Sequence, residues 1–218
     1  MKVILLTDVN DVWIKSDDNK YIEITNDFFI KHNISIKLVE KADREIFLKL
    51  KKQVRKGKIS YKKLMELYFK SIDAKNYRKL VREYFQFEKK IVRKWLKLVP
   101  YAKEVLMKLK RSGIKIIAIS DYIKPSKERK WELDTLGIGK YFDKIYTSHD
   151  LRKEKPEALK LFRPKRKELM IFLGHEDDEM VCKKYGLITI GLKNLNADYT
   201  IKSLKELPGI IKKLMKET

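Results

Sequence analysis

The chain has 218 residues, 44% of them hydrophobic, and a formal charge of +22 from 52 Lys and Arg against 30 Asp and Glu. That is enough apolar material for one large domain, or for a core carrying a smaller insert, and it excludes a disordered chain. No run approaches the roughly 18–20 apolar residues of a membrane span, no basic-then-apolar leader opens the sequence, and the lone Cys182 excludes an internal disulfide or a thiolate zinc site.

A cytoplasmic protein without a membrane partner is therefore expected. The basic residues are mostly Lys and are spread over the whole chain, as on the surfaces of heat-adapted proteins. Such a charge also draws polyanions and small phosphorylated substrates. The absence of a zinc-finger spacing or an aromatic RNP run argues against nucleic acid as a partner despite the charge. Nothing in the sequence sets an oligomeric state.

In chain order, short apolar runs of strand length fall at Val3 to Leu6, Ile114 to Ile119, Lys144 to Thr147, Leu169 to Leu173 and Leu187 to Leu192. They are too short for helices and rich in Ile, as fully buried parallel strands are. Amphipathic helix-length segments lie at about 101–112, 125–137, 155–163, 177–186 and 202–216. Strand alternating with helix predicts a doubly wound α/β core with a parallel sheet. Gly113 and Gly186 each precede a strand, where a glycine in the left-handed conformation ends the helix before it.

Residues 20–95 break this rhythm. Tyr61, Leu64, Met65, Tyr68, Phe69 and Ile72 follow helical spacing behind a Ser60 cap, and Leu80, Val81, Tyr84 and Phe85 repeat the pattern. A helical insert is expected, its apolar stripe packed internally, with the chain returning near Pro100. The division that follows is 1–15 with 98–218 as the α/β core and 16–97 as the insert.

Ligands of open parallel sheets bind beyond the carboxyl ends of the strands. The residues there are Asp8 and Asn10, then Ser120 and Asp121, then Gly174, His175, Glu176, Asp177 and Asp178, while Lys155 opens the helix before the fourth strand. A carboxylate, a hydroxyl, a lysine and an acidic cluster at one end of a sheet suit Mg²⁺-assisted phosphoryl transfer: oxygen ligands for a hard cation, fixed positive charge for phosphoryl oxygens.

Four segments in order, TDVNDV, AISDY, KEKPEALKLF and FLGHEDDEM, resemble the four motifs of the haloacid dehalogenase-like (HAD) hydrolase superfamily. The resemblance covers about 1–15 and 98–215 and makes 16–97 a helical cap inserted after the first motif. It implies a Mg²⁺-dependent phosphatase of a small phosphorylated metabolite. In that scheme Asp8 is the nucleophile that forms an aspartyl-phosphate, and Ser120 hydrogen-bonds the transferring group. Lys155 holds Asp8 and the phosphoryl charge, and Ser120, Asp121 and Lys155 bind substrate. Asp8, the Asn10 carbonyl and one or more of Glu176, Asp177 and Asp178 hold Mg²⁺, which is then expected to stabilise the fold.

Two positions depart from the family pattern. Asn10 stands where its phosphatases carry a second Asp as general acid and base, and an amide cannot exchange that proton. His175 stands where the fourth motif carries its first metal-binding carboxylate, and it reads either as a polar residue tolerated there or as a functional group. Counting back from Gly186 matches Asp178 to the motif's last Asp and leaves Glu176 or Asp177 to replace the first. The alternatives are a catalytically degenerate HAD-like binding domain and, ranked lower, a dehalogenase-type hydrolase.

Overall fold

The computed structural model describes residues 1–73 and 75–217, with every side chain among them except those of Asp178 and Glu179. At its centre is a six-stranded parallel sheet. Its strands are β1 (Lys2–Thr7), β4 (Lys115–Ser120), β5 (Lys144–Thr147), β6 (Glu168–Gly174), β7 (Ile188–Leu192) and β8 (Tyr199–Ile201), in the spatial order β5-β4-β1-β6-β7-β8.

Side chains alternate across a strand, so a sheet covered on both faces needs apolar residues at every position. Val3 and Leu5 enter one buried cluster with Ile116, Ala118, Leu169 and Ile171. Ile4 and Leu6 enter the opposite one with Ile117, Ile119, Met170 and Phe172. This two-sided burial is why the strands read as continuous rather than alternating runs. The first face is covered by α6 (Ala102–Arg111) and α10 (Leu207–Glu217), which bury Val105, Leu106 and Leu109, and Leu207, Ile211 and Leu214. The second takes α9 (Lys155–Leu159), through Ala158 and Leu159, and a 3₁₀ segment, Asp177–Tyr185.

The chain leaves the sheet region through β2 (Ile14–Ser16) and returns through β3 (Leu96–Leu98), which pair antiparallel with Ile14 opposite Leu98. Between them run α1 (Asp18–Lys31), α2 (Ile36–Ala42), a π-helical turn, α3 (Leu48–Arg55), α4 (Tyr61–Ile72) and α5 (Tyr77–Trp95). The Ser60 hydroxyl caps α4 by accepting from the Lys63 N–H at 3.1 Å. Leu64, Met65, Tyr68 and Phe69 are buried, as their spacing predicts, and join Phe28, Phe29, Leu80, Val81 and Tyr84 in a cluster separate from those of the sheet. Ile123, from the loop after β4, is buried in the same cluster and ties that loop to the helices.

The structure refines several boundaries. The short strands β2, β3 and β8 carry too few residues to show a period. The segment expected as a helix over 177–186 is 3₁₀, and the one expected over 155–163 ends at Leu159, with Pro164 disfavouring helical backbone just before it. The last helix starts at Leu207, after a capping box between Ser203 and Glu206. Gly113 and Gly186 have φ of 74° and 84°, the left-handed values expected of them. No helix among the described residues is long and apolar enough to cross a membrane.

Candidate active site

Three adjacent strands end together. Thr7 of β1 is level with Ala118 of β4 on one side and with Leu173 of β6 on the other. Asp8 is therefore level with Ile119 and Gly174, and Ser120 and His175 lie one residue further along their strands. Neighbouring strands are about 4.8 Å apart, so this register alone gathers the three side-chain positions at one edge.

The turn carrying Asp8 is tightly built. The Asp8 N–H donates to the Leu173 carbonyl at 2.9 Å, continuing the sheet by one residue, and both the Trp13 and Ile14 N–H groups donate to the Val9 carbonyl. Trp13, fully buried, donates from Nε1 to the Thr7 hydroxyl at 2.7 Å, and that hydroxyl donates to the Asp8 carbonyl at 2.8 Å. Asp11 has a φ of 57°, a left-handed conformation that Asp tolerates better than most residues, and closes the turn by donating its N–H to the Ile14 carbonyl. Asn10 is exposed on this turn.

Lys155 Nζ lies 2.9 Å from Asp8 Oδ2, with both side chains almost fully buried, 4% and 2% exposed. Pro156 in the first turn of α9 fits a helix start, where its missing N–H costs nothing. His175 Nδ1 is 3.4 Å from the same Asp8 oxygen, and its Nε2 is 3.7 Å from Glu176 Oε1 and 4.0 Å from Asp11 Oδ2. Burial alone would raise the Asp8 carboxyl, but the hydrogen bond from His175 and the charge and hydrogen bond of Lys155 outweigh it and hold it below the ordinary aspartate value. Asp8 is thus an ionised carboxylate in a dry setting. The Ser120 hydroxyl is also buried and has no hydrogen-bond partner among the described residues. An orphaned buried hydroxyl costs about 1–3 kcal/mol, a cost that a ligand oxygen would relieve.

The remaining candidates are placed differently. The Asp121 carboxylate is held by Arg55 of α3 at 2.8 Å and by the Ser148 hydroxyl, so it joins the helical insert to the core rather than facing Asp8. Asp177 accepts from Asn196 Nδ2 at 2.8 Å, on the loop after β7. Glu176 is 53% exposed and has its other oxygen 3.6 Å from Lys155 Nζ. The Asp178 side chain lies outside the described residues. Among the described residues no three His, Cys, Asp or Glu side chains are placed to hold a metal ion, and the side chain of the expected ligand Asp178 lies outside them. Lys155 and His175 share Asp8 Oδ2, while Asp177 is turned to Asn196. Motif order pointed to none of Arg55, Asp11 or the Thr7–Trp13 brace; only the Asp11 carboxylate beside Asp8 offered a signal.

A cleft of about 1050 Å³ opens on this edge, lined by His175, by Lys15, Lys97, Lys193 and Lys202, and by Asp11, Asp17 and Asp18. Four lysines against three carboxylates leave its mouth with a small positive excess.

A six-stranded parallel sheet with an ionised aspartate and a buried lysine at its strand tips defines a doubly wound α/β core with an aspartate-centred site. The chain matches the family described as haloacid dehalogenase-like hydrolase over residues 6–192, and it belongs to that family. It is 32% identical over 140 residues to the glyceraldehyde 3-phosphate phosphatase of Methanocaldococcus jannaschii, a match covering 56% of this chain and 60% of that relative. The match thus spans less than two thirds of that relative's length. Among solved structures it is similar to the 2-haloacid dehalogenase of Pseudomonas syringae, with a TM-score of 0.72 and 15% identity over 98% of this chain and 100% of that one. It is also similar to the HAD-hydrolase YfnB of Bacillus subtilis, bound to magnesium, with a TM-score of 0.63 and 16% identity over 97% and 99% of the two chains. At these identities the two structures establish the fold alone.

Proposed function

We propose that the chain hydrolyses a small phosphorylated metabolite, with Asp8 as the nucleophile. The observation that carries this reading is the buried Asp8–Lys155 pair, an ionised carboxylate held 2.9 Å from an ammonium, with the Ser120 hydroxyl, which has no partner among the described residues, on the next strand. An Asp8 oxygen attacks phosphorus, the leaving oxygen departs, and an aspartyl-phosphate forms. Water then attacks that phosphorus, orthophosphate leaves, and Asp8 is regenerated. Lys155 neutralises charge on the phosphoryl oxygens, and the Ser120 hydroxyl donates to one of them. The relative from Methanocaldococcus jannaschii, named as a phosphatase, supports this substrate class. Residues 16–97 act as a cap over the core formed by 1–15 and 98–218, and the Arg55–Asp121 pair supports that role.

Asn10 sets the leaving-group preference. A positioned general acid contributes roughly 10²- to 10⁴-fold, and an amide cannot provide it. Acyl and aryl phosphates, whose leaving groups need no proton, are the expected best substrates. A second reading, displacement of halide from a 2-haloacid, is favoured by the same residue, since halide also leaves unprotonated.

The test is a panel of aryl, acyl and alkyl phosphates, with chloride release from 2-chloro acids measured in parallel and Asp8→Asn as control. Phosphate release lost in the control supports the reading, and equal rates from both proteins refute it. Chloride release alone selects the dehalogenase. Asn10→Asp is expected to raise alkyl phosphate turnover more than aryl.

A further inference from the structure

Three carboxylates, those of Asp8, Asp11 and Glu176, lie around one side chain at the tip of the sheet, and like charges so placed favour a positive or hydrogen-bonding group between them. The group between them is the ring of His175. Its Nδ1 faces Asp8 Oδ2 at 3.4 Å, and its Nε2 faces Glu176 Oε1 at 3.7 Å and Asp11 Oδ2 at 4.0 Å. The backbone that carries the ring is held, because the His175 carbonyl accepts from Asn194 Nδ2 at 3.1 Å and Asn194 is itself buried.

The donor set is wrong for a hard divalent ion. Mg²⁺ asks for near-octahedral oxygens at about 2.0–2.1 Å and keeps several waters. The side chain in the middle here is an imidazole, and the Asp8 oxygen it faces already carries Lys155 at 2.9 Å. Asp177 is engaged with Asn196, and among the described residues no metal-holding group of three side chains exists.

We propose that His175 occupies the place a divalent cation would take against Asp8, and that the protein binds and works on its anionic substrate without a divalent metal. The two tasks of a cation are then divided. The His175 ring, 3.4 Å from Asp8 Oδ2, orients the Asp8 carboxylate, and the Lys155 ammonium supplies fixed positive charge to carboxylate and phosphoryl group alike. The inference rests on Asp8 as the nucleophile, but the placement of the ring is tested without any substrate.

The experiment starts from chelator-treated full-length protein. Mn²⁺ is titrated in and bound ion followed by electron paramagnetic resonance, and melting is recorded with and without Mg²⁺. The unmodified chain is expected to bind neither ion in the micromolar range and to melt at an unchanged midpoint. His175→Asp, which puts a carboxylate where the ring stood, is expected to bind Mn²⁺ at least about tenfold more tightly and to melt higher with Mg²⁺. Micromolar Mn²⁺ binding by the unmodified chain that is lost in Asp8→Asn overturns the inference, and so does a folded His175→Asp variant that binds no better than its parent. Where that variant fails to fold, the titration of the unmodified chain decides. Phosphate release measured in excess chelator separates the two proposals. Turnover abolished by chelator and restored by Mg²⁺ overturns the metal-free reading while leaving the phosphatase standing. Absence of turnover under both conditions refutes the phosphatase, and the Mn²⁺ titration still judges the place of His175.

Discussion

Two clusters of buried charge flank the loop that follows β4, and they are satisfied in different ways. On one side, Lys124 pairs with Glu88 of α5 at 2.8 Å, and Glu88 also accepts from Tyr21. Nearby, Arg129 pairs with Glu132 at 2.9 Å and lies over the Tyr122 ring, whose hydroxyl donates to Glu132. Apart from Arg129 Nε, these groups pair with one another along the wall of a second cleft of about 530 Å³. On the other side, Asp8 and Lys155 are as deeply buried, yet on the next strand stands a hydroxyl with no partner among the described residues, and a cleft edged with lysines and aspartates opens near them. The first cluster joins the insert to the core. The second has polar capacity left over, which is what a site awaiting an anion requires.

The largest effect expected from this difference is at Lys155. Lys155→Met leaves the Asp8 charge buried with its main cation gone, which costs about 3–5 kcal/mol. Chemical denaturation of the variant checks it. A loss below about 1 kcal/mol would mean that Asp8 simply takes up a proton in the variant, as a buried acid without its cation can.

At the first cluster the matched experiment removes both partners. Glu88→Leu with Lys124→Met replaces a half-dry ion pair by apolar groups, and such swaps run from neutral to stabilising by about 1–4 kcal/mol. Lys124→Met alone leaves Glu88 unpaired and is expected to be the less stable of the two proteins. If the double variant is the weaker one, the hydrogen bonds from the tyrosines depend on the carboxylate more than on its cation, and the two clusters are less different than their geometry suggests.

Two serines sharpen the comparison further. Ser148 donates to the Asp121 carboxylate, and Ser148→Ala should cost roughly 1.5–3 kcal/mol, the range for a hydrogen bond to a charged group. Ser120 has no partner among the described residues to lose, so Ser120→Ala should leave the melting temperature unchanged or raise it, while kcat/KM falls by about 10²-fold. Equal destabilisation of the two variants would show that Ser120 is structural.

Much of this was legible in the residues, and the parts that were not share a cause. The strands around Asp8 are buried on both faces, so their composition announces them; the positions of Asp8 and Ser120 follow from where those runs stop, and Lys155 opens the helix before β6. The α4 stripe was equally plain, because Leu64 and Tyr68 repeat at helical spacing. What the sequence did not disclose was pairing across long separations. Asp121 belongs to Arg55, 66 residues away; Asp177 belongs to Asn196; and the cluster after Gly174 has an imidazole among its carboxylates. A run read locally shows which side chains are acidic, and only the partners reached through the fold show what each carboxylate faces.

The smallest effect lies far from either cluster and tests whether the core's own ion pairs behave ordinarily. Asp143, just before β5, accepts from Lys110 Nζ at 2.8 and 2.7 Å and from the Ile116 N–H at 2.7 Å. Burial alone would raise its carboxyl, but the Lys110 hydrogen bond, the Ile116 N–H and the ammonium charge together hold it below the ordinary aspartate value. A carboxyl whose folded pKa lies below its unfolded one, about 3.9, contributes its full stability above that pH and loses it as pH falls through the folded value. The side chain is a third exposed, at 34%, so the pair is partly screened by water. Asp143→Asn is therefore expected to cost only about 1 kcal/mol near neutral pH. In denaturation at successive pH values, the gap between parent and variant should stay constant from pH 7 to about 5 and narrow below about 4 as the parent's carboxylate takes up its proton. A gap that persists unchanged to about pH 2 would mean that the Ile116 N–H, which an amide oxygen serves less well, carries the interaction, and that the Lys110 charge adds nothing.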